Sequence, residues 1–296
     1  MLILISDAFT PDLPQKLKRF GEVTDDKNRL GEADIVLIRS KTKCTREYLD
    51  QAPNLKMIIR GGVGLDNVDR QYAEKKGIIV ANTPQASSIA VAELAFAFML
   101  AVPNRLIEAH NSMRQGKWLK KELKRTELFG KTLGLVGIGL IGTEVAQRAR
   151  AFGMEVIAYD KYVKSSPVAQ LVYSLEELLS RADYVSLHTP LTDETRGMIN
   201  KDTIARMKNG AVLINTCRGK CVIEEDVAQA LKTGRLGAYA TDVWYSDPPD
   251  NSPLMDAPNV LMTPHLGASS EENLIRIGEI VEQKIDEFVK NQNWGC

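Results

Sequence analysis

The chain has 296 residues, of which 44% are hydrophobic and 26% are charged, and its formal net charge at pH 7 is zero. This length suggests two domains, each with its own hydrophobic core. A zero net charge provides no overall basic field, so we expect no nucleic-acid partner and no membrane partner. No unbroken apolar run reaches the roughly 18 residues of a membrane span, and we expect a cytoplasmic protein.

Four cysteines, at positions 44, 217, 221 and 296, are scattered along the chain and form no CxxC pair. Cys217 and Cys221 have no nearby histidine that would complete a zinc site, so no metal is expected. Buried free thiols in a reducing compartment are the simplest interpretation. The start of the chain has only a short apolar run without a basic region, and we do not expect a signal peptide.

The first part of the chain contains four short apolar segments separated by polar or helical segments. This alternation predicts a parallel sheet covered by helices, and ligands of such sheets gather at the carboxyl ends of the strands. The predicted strands are Leu2–Ile5, Ile35–Ile38, Met57–Ile59 and Ile78–Val80, with a helix at Leu13–Phe20.

Two arginines stand directly after predicted strands. Arg39 follows the second strand, and Arg60 follows the third and leads into the loop Gly61-Gly62-Val63-Gly64. The backbone N–H groups of such a loop are suited to hold a carboxylate. The pattern indicates an anion site at this edge of the sheet, and the alternative is a pair of surface arginines beside an ordinary turn.

A long apolar segment, residues 87–114, has helical periodicity and is expected to be buried almost all round. Pro103 is expected to break or kink it. A helix this apolar lies under two domains or packs against a second subunit. The basic run KKELKR that follows is typical of a solvated face, whereas Trp118 favours a subunit contact.

A strand, a glycine loop, a helix, a second strand and an acid follow one another between Gly130 and Asp160. The loop is Gly137-Ile138-Gly139-Leu140-Ile141-Gly142. Its first glycine allows a tight turn, the second lets a pyrophosphate approach the backbone, and the third lets helix and strand pack closely. The loop N–H groups and the positive end of the helix then face the phosphates. Asp160 is placed to accept the ribose hydroxyls of adenosine and would repel a 2′-phosphate, which favours NAD over NADP.

The alternation of strands and helices continues to the end of the chain. We therefore predict an α/β fold with two doubly wound parallel-sheet (Rossmann-like) domains and the cleft between them. The expected division is a discontinuous substrate-binding domain, residues 1–98 and 275–296, and an NAD-binding domain, residues 99–274. The later predicted strands are Tyr184–Leu187, Ala211–Ile214, Gly237–Thr241 and Val260–Met262, and the later helices are Ser174–Leu179, Lys201–Met207, Glu224–Leu231 and Glu272–Lys290.

Strands of the second domain bring His188, Arg218, Asp242 and His265 to the edge that holds the dinucleotide. A nicotinamide enzyme needs a cation that fixes the substrate and a group that exchanges a proton near pH 7, which an arginine and a histidine supply. Asp247 is suited to hold the tautomer of His265 and to stabilise its charged form. The alternatives are a structural histidine and ordinary turn chemistry for Asp247. We interpret His188 as a capping or core residue.

The chain resembles the D-isomer-specific 2-hydroxyacid dehydrogenases over nearly its whole length. The blocks that carry this resemblance, in the family's order, are GxGxxG with Asp160, NTCRG at 215–219, DVWYSDPP at 242–249 and TPHLGASS at 263–270. The blocks most similar to the phosphoglycerate branch of the family are RSKTKCT at 39–45, RGGVGLDNVD at 60–69 and NTPQASSIAVAEL at 82–94.

This resemblance implies a role for each matching residue. The implied catalytic residues are Arg218, which orients the substrate, His265, which exchanges the proton, and its acidic partner Asp247. The implied cofactor contacts are Gly137, Gly139, Leu140, Ile141, Gly142, Asp160, Thr189, Thr216, Cys217, Arg218, Asp242, His265, Gly267 and Ala268. The implied substrate contacts are Arg39 and Arg60 for a phosphate, Gly62, Val63 and Gly64 for a carboxylate, and Arg218 and His265. A homodimer through the helix from residue 87 and the Trp118 region is also implied.

Three features depart from the family pattern. The partner of the histidine is usually Glu, and Asp247 is shorter by one C–C bond, roughly 1.5 Å, so either its loop moves in or the bond weakens. Cys217 replaces the small residue usual before the arginine, and it is either an oxidation target beside the nicotinamide or a passive side chain. The chain ends at Cys296, without the C-terminal serine-sensing domain of longer relatives, so we do not expect that feedback.

Taken together, the resemblance implies NAD-dependent oxidation of 3-phospho-D-glycerate to 3-phosphohydroxypyruvate, the first step from glycolysis towards serine. One alternative is a glyoxylate or hydroxypyruvate reductase, or another D-2-hydroxyacid dehydrogenase, against which Arg39 and Arg60 argue. The other alternative is a non-catalytic protein that senses NAD(H) on the same fold, against which Arg218 and His265 argue.

Overall fold

The computed structural model describes residues 1–291, and Cys296, one of the predicted free thiols, lies outside them. The chain forms two compact units. The first contains Met1–Ser88 and the segment from Ala268 onward, and the second contains Ile89–Gly267. The division expected from the sequence lies after residues 98 and 274, and its assignment of substrate and cofactor roles to the two parts stays a prediction.

Strands and helices alternate along most of the described chain. The predicted strands lie within two residues of their observed positions, because most of them are short apolar runs that are buried in their sheets. The strands Ile79–Asn82 and Val260–Met262 are partly exposed. The strands are β1 (Leu2–Ile5), β2 (Glu22–Thr24), β3 (Ile35–Ile38), β4 (Met57–Arg60), β5 (Ile79–Asn82), β6 (Thr132–Val136), β7 (Glu155–Tyr159), β8 (Gln170–Leu171), β9 (Tyr184–Leu187), β10 (Ala211–Asn215), β11 (Leu236–Thr241) and β12 (Val260–Met262). The helices are α1 (Leu13–Leu17), α2 (Arg46–Asp50), α3 (Arg70–Lys75), α4 (Pro84–Ala101), α5 (Leu106–Arg114), α6 (Leu140–Ala151), α7 (Leu175–Arg181), α8 (Lys201–Ile204), α9 (Glu224–Lys232) and α10 (Glu271–Asn291).

The first unit is built on a five-stranded parallel sheet in the order β2-β1-β3-β4-β5. Val36 in the central strand pairs with Leu4 on one side and with Ile58 on the other. All three side chains are fully buried, as expected for a parallel sheet covered on both faces. One face packs against α10 through Ile277 and its apolar neighbours, so the last helix returns to the first unit.

The second unit is built on a seven-stranded parallel sheet in the order β12-β11-β10-β9-β6-β7-β8. The strand order reverses at β6, which pairs with β9 on one side and β7 on the other. Separate hydrophobic clusters cover the two faces of the sheet. Because ligands of such sheets bind where the order reverses, the carboxyl end of β6 is the place to look for a cofactor.

The predicted helical segment 87–114 is two helices rather than one. α4 ends at Ala101 and α5 begins at Leu106, and Arg105 between them has a left-handed φ of 50°. Pro103 lies in the break, as predicted, because its missing N–H cannot continue the hydrogen bonds of α4. Burial almost all round is also not observed, because only half of α4 is buried within the structure. By length and composition alone α4 is apolar enough to cross a membrane, and so is the core helix of many soluble proteins.

We predict that Gly134→Ala in β6 lowers the free energy of unfolding. An added Cβ would lie 2.6 Å from Leu178 Cδ2 on α7 and 2.8 Å from the Cβ of Ala182, which directly follows α7. Overpacking of this kind costs about 1–3 kcal/mol. The measurement is the midpoint of urea unfolding followed by circular dichroism. The matched control is Gly31→Ala, whose Cβ would make only an ordinary contact at 3.5 Å with Gln51 O. Equal midpoints for the two variants would contradict this packing.

Candidate active site

The glycine loop begins in the second unit where β6 ends at Val136. Gly137 has a φ of 94°, and a Cβ at this position would lie 2.6 Å from the carbonyl oxygen of His188. A Cβ on Gly142 would overlap the carbonyl group of Gly137. The first and third glycines are therefore required by the packing of the protein itself.

The middle glycine of this loop faces open space. Gly139 directly precedes α6, and no atom lies within 4 Å of the position that its Cβ would take. The first turn of α6 contains Leu140, which is 52% exposed, and the half-buried Ile141, and it carries no acidic side chain. Its backbone N–H groups have no acceptor within the helix. A pyrophosphate fits this place, because it can approach the backbone closely at the positive end of the helix.

Asp160 follows β7 and is hydrogen-bonded to the glycine loop. Its Oδ2 accepts from the N–H of Ile138 at 2.9 Å, and its Oδ1 accepts from the N–H groups of Tyr162 and Val163 at 2.8 and 3.1 Å. Burial opposes ionisation, but these hydrogen bonds hold the pKa of Asp160 below its ordinary value. The charged Oδ2 keeps acceptor capacity that fits a ribose hydroxyl. Its bond to Ile138, which also fixes the glycine loop, is not predicted by the motif.

The ends of β9 and β10 bring further predicted cofactor contacts to the same edge of the sheet. Thr216 Oγ1 is buried and has no hydrogen-bond partner among residues 1–291. A buried hydroxyl without a partner costs about 1–3 kcal/mol, so this atom fits a ligand that supplies the missing bond. Thr189, after β9, has its hydroxyl beside the thiol of Cys221. The open side of Gly139 and the Thr216 hydroxyl together fit a dinucleotide.

Asn215, the last residue of β10, holds the loop that carries Arg218. Its Nδ2 donates to the carbonyl oxygen of Arg218 at 3.0 Å, and its Oδ1 accepts from the N–H of Cys217 at 3.1 Å. A Cβ on Gly219 would overlap the backbone of Trp244, so this loop also lies tightly against the segment after β11. Asn215 belongs to the family-like block NTCRG, but its position in that block does not reveal this role.

The three cysteines in the described part of the chain, Cys44, Cys217 and Cys221, are free and buried. Burial raises the pKa of the Cys217 thiol, which therefore stays protonated and donates to Asn215 Oδ1 at 3.2 Å. This bond favours the passive interpretation of Cys217 over the oxidation target. Residues 1–291 contain no group of three His, Cys, Asp or Glu side chains that is able to hold a metal ion.

His188, at the end of β9, is enclosed by the second unit and plays no part in proton transfer in our interpretation. Its Nε2 lies 2.9 Å from Ser186 Oγ, and its Nδ1 is buried. Burial lowers the pKa of His188 to about 4, so the ring is neutral near pH 7. A histidine that titrates so far below neutral pH is a poor proton donor for a reaction at pH 7.

His265 and Asp247 lie in two loops of the second unit and are in contact. Asp247 Oδ2 lies 2.5 Å from His265 Nδ1, and the two side chains are 50% and 44% exposed. The loop of Asp247 therefore comes close enough to offset the shorter side chain, and the bond is not lost. His265 has a left-handed φ of 57°, which for a residue with a side chain costs about 1–2 kcal/mol.

Asp242, after β11, holds the loop that carries His265. Its carboxylate is 1% exposed and accepts from Thr263 Oγ1 at 2.5 Å and from the N–H groups of Leu266 and Gly267 at 2.7 and 2.8 Å. These bonds hold the chain on both sides of His265, through the Thr263 side chain before it and the two N–H groups after it, and so maintain its unusual φ. This positioning role is not predicted from the sequence, and the implied contact of Asp242 with the nicotinamide carboxamide stays a prediction.

The predicted substrate loop of the first unit follows β4. A Cβ on Gly62 would overlap Arg60 Nη1, so the guanidinium lies directly against this glycine. Asn82 Nδ2 donates to the carbonyl oxygen of Val63 at 2.5 Å, and the N–H of Thr83 donates to that of Gly62 at 3.0 Å. Asn82 in β5 and Thr83 after it thus bind two carbonyl groups of the loop. The loop is thereby held beside the Arg60 cation, as an anion site requires.

Arg39 and Ala268 lie together in the first unit. Arg39 Nη2 donates to the carbonyl oxygen of Ala268 at 3.3 Å, which also accepts from Asn273 Nδ2 at 2.8 Å. Arg39 Nε is buried and has no hydrogen-bond partner among residues 1–291. Burial lowers the pKa of Arg39, and the nearby carboxylate of Asp7 opposes this effect. A partly buried cation with an unused donor fits an anionic ligand.

Comparison with known proteins agrees with this arrangement. The family model described as "D-isomer specific 2-hydroxyacid dehydrogenase, NAD binding domain" matches residues 96–267. The chain is 42% identical to a D-3-phosphoglycerate dehydrogenase of Methanocaldococcus jannaschii over 98% of this chain and 58% of that protein. It is 45% identical to a hydroxypyruvate reductase of Thermotoga maritima over 87% of this chain and 85% of that protein. The chain spans about half the length of such phosphoglycerate dehydrogenases, 58% of the Methanocaldococcus jannaschii protein and 49% of that of Mycobacterium leprae.

The architecture also matches solved structures. The D-lactate dehydrogenase of Aquifex aeolicus, complexed with NAD and lactic acid, has a TM-score of 0.87 and 32% identity, with 98% of this chain and 96% of that chain covered. This match and the two parallel sheets confirm the predicted fold class, and the matched NAD-binding domain confirms NAD as the cofactor. The chain belongs to the D-isomer-specific 2-hydroxyacid dehydrogenase family.

Proposed function

We propose that this chain is an NAD-dependent dehydrogenase that oxidises 3-phospho-D-glycerate to 3-phosphohydroxypyruvate, the first step from glycolysis towards serine. The observation that carries this proposal is the pair of cations in the first unit, Arg39 after β3 and Arg60 at the end of the neighbouring β4. A phosphate with two negative charges needs such groups, because arginine binds it through several parallel hydrogen bonds. The 42% identity to the Methanocaldococcus jannaschii enzyme supports the same substrate.

His265 accepts the proton of the C2 hydroxyl in this proposal. Because Asp247 Oδ2 lies 2.5 Å from Nδ1, the favoured tautomer carries its proton on Nδ1 and leaves Nε2 as the base. The carboxylate then stabilises the imidazolium that forms. In the reverse direction the imidazolium returns the proton from Nε2 to the carbonyl oxygen.

The other residues bind and orient the reactants. Arg218 holds the substrate carboxylate and the C2 oxygen through its planar guanidinium, and the N–H groups of Gly62–Gly64 add bonds to the carboxylate. Bound NAD would supply the acceptor for the hydride that leaves C2. Gly137–Gly142 would hold its pyrophosphate, and Asp160 would hold its adenosine ribose.

A hydroxypyruvate reductase is the second candidate. The observation that favours it is the 45% identity to the Thermotoga maritima protein, of which this chain covers 85%. Both candidates share the proton-transfer pair and Arg218, since both reactions act on a 2-hydroxy or 2-oxo acid. They differ at the far end of the substrate, where only a phosphorylated acid has use for Arg39 and Arg60.

The first prediction from this proposal concerns substrate preference. With NADH, kcat/KM for 3-phosphohydroxypyruvate exceeds the values for hydroxypyruvate and glyoxylate by at least about tenfold, the effect of one charge-assisted hydrogen bond. The measurement is NADH oxidation at matched ionic strength, with the three acids compared side by side. A preference for the unphosphorylated acids would support the reductase, and NADH binding without turnover of any acid would support an NAD(H) sensor.

The second prediction concerns the acidic partner of His265. Asp247→Asn removes the charge that stabilises the imidazolium, so kcat falls by about ten- to hundredfold, within the range of general acid–base effects. The measurement is kcat for oxidation in both proteins at one pH near neutral. The control Asp247→Glu keeps the charge and is expected to keep most of kcat. A kcat unchanged in Asp247→Asn would assign Asp247 to the turn alone.

We also propose that the enzyme is a cytoplasmic homodimer, with the α4–α5 region as the subunit interface. Exposed apolar side chains on α5 and after it support this, since Leu106, Ile107, Met113 and Trp118 are 52–74% exposed. A groove of about 430 Å³ runs between α5 and the Trp118 segment. Apolar and aromatic side chains concentrated in one place are typical of interface cores.

The third prediction tests this interface. The protein is expected to sediment with twice the chain mass of 32.8 kDa, and Trp118→Asp to sediment as a monomer, because a carboxylate would be desolvated in the interface. The measurement is analytical ultracentrifugation. The matched control is Tyr173→Asp, at a side chain that is 98% exposed and lies elsewhere in the second unit. A monomeric parent protein, or a dimeric Trp118→Asp variant, would contradict the proposed interface.

A further inference from the structure

Residues 39–42, the Arg39 loop, follow the central strand of the first unit and are held on one side by Asp7. Asp7 Oδ2 accepts from the N–H of Arg39 at 2.6 Å and from the N–H of Thr42 at 3.1 Å. Its Oδ1 accepts from Thr42 Oγ1 at 2.7 Å, and Thr42 Oγ1 also lies 2.9 Å from Ser6 Oγ. Asp7 is only 8% exposed. Although burial opposes ionisation, these bonds hold the pKa of Asp7 below its ordinary value, so the carboxylate is charged.

The other side of the Arg39 loop is held by Asn67. Its Nδ2 donates to the carbonyl oxygen of Arg39 at 2.8 Å and to that of Thr42 at 2.7 Å. Asn67 is itself fixed, because its own carbonyl oxygen accepts from the N–H of Cys44 at 2.8 Å. Asn67 comes from the segment between Gly64 and α3, so two distant parts of the chain meet at this loop.

These two side chains together satisfy all four backbone groups at the ends of the loop. Asp7 accepts from both N–H groups, and Asn67 donates to both carbonyl groups. A surface turn ordinarily leaves such groups to water and remains mobile. Here the backbone at Arg39 is fixed by a charged acceptor and an amide donor, and that fixes the direction in which the Arg39 side chain leaves the loop.

The Arg39 side chain makes few hydrogen bonds to the described part of the protein, so its own contacts do little to orient it. Its one hydrogen bond among the described residues joins Nη2 to Ala268 O at 3.3 Å, and its buried Nε has no partner there. A long side chain that is not held has many rotamers, and ordering it on binding costs free energy. A fixed backbone reduces that cost and improves the geometry of a hydrogen bond to an anion.

We propose that Asp7 and Asn67 are positioning residues that make this enzyme selective for a phosphorylated substrate, because they fix the backbone from which Arg39 reaches the phosphate. The inference rests on the proposed function, since it assigns the phosphate to Arg39. Neither residue contacts the reacting atoms. Their effect is therefore on the choice between 3-phosphohydroxypyruvate and hydroxypyruvate, which differ only by the phosphate.

The test compares kcat/KM for these two acids with NADH in Asn67→Leu and Asp7→Asn. Asn67→Leu removes the donor without adding charge, and the ratio of the two kcat/KM values is expected to fall by about tenfold, the effect of one charge-assisted hydrogen bond. Asp7→Asn is expected to lower the ratio too, because its NH₂ group opposes the loop N–H groups. If Asp7 acted only through its negative charge, which repels a phosphate, its loss would raise the ratio. The direction in which the ratio changes therefore distinguishes a positioning role from a purely electrostatic one.

Three further single variants and one double variant complete the test. Asn54→Leu is the matched control, since Asn54 Nδ2 donates to a backbone carbonyl oxygen, that of Gly31, on an exposed part of the same unit, and it is expected to keep the ratio. Thr42→Val, a milder change, is expected to lower the ratio by a smaller factor if Asn67→Leu does not fold. Arg39→Ala is expected to lower the ratio by itself, and Asn67→Leu added to it is expected to have no further effect on the ratio.

The outcomes separate this inference from the proposed function. An equal fall for both acids in Asn67→Leu, or an unchanged ratio in both Asn67→Leu and Asp7→Asn, overturns the positioning role while the substrate assignment stands. A further fall of the ratio in the double variant also overturns it, because Asn67 would then act without Arg39. A parent protein with no preference for the phosphorylated acid overturns the substrate assignment and the inference together.

Discussion

Three hydrogen bonds to the buried carboxylate of Asp242 hold the loop that carries His265, and the proposed proton transfer depends on them. The loop places a histidine at a left-handed φ, which an unconstrained chain would avoid. Bonds on both sides of His265 over-determine that conformation. The ring is then presented to Asp247, eighteen residues away in the chain, at hydrogen-bond distance.

The same device occurs at two other strand ends. Asp160, which follows β7, accepts from the N–H of Ile138 and so connects the end of β7 to the glycine loop. Asp7 accepts from two N–H groups of the Arg39 loop. In each case a carboxylate at the carboxyl end of a parallel strand meets amides of a loop that leaves the same edge. Charge-assisted bonds of this kind make a loop as well defined as the sheet that it leaves.

Much of the fold follows from the sequence because its information is local. Each buried strand is a short apolar run, and the glycines that shape the cofactor loop lie within six consecutive residues. The strands β2 and β8 are not predicted, because they are short, partly exposed edge strands without an apolar run. The break between α4 and α5 is predicted from Pro103, whereas the left-handed conformation of Arg105 leaves no trace in the hydrophobic periodicity.

The supporting contacts of the site are harder to predict than its reacting groups. Asn215 and Asn67 belong to recognisable blocks, but their partners are fixed by the way that two loops approach in space. A shorter acid at Asp247 admits two outcomes from the sequence, and only the position of its loop decides between them. In the proposed function the two candidate substrates differ at the phosphate, so the choice between them is assigned to the cations of the first unit and to the way in which they are held.

The central claim is that a hydride leaves C2 of a phosphorylated 2-hydroxy acid for the nicotinamide while His265 takes the hydroxyl proton. The most direct measurement uses 3-phospho-D-glycerate with deuterium at C2, together with NAD, and mass spectrometry of the NADH that forms. The account predicts NADH that carries the deuterium. NADH without deuterium, or no NADH at all from this acid, would contradict it.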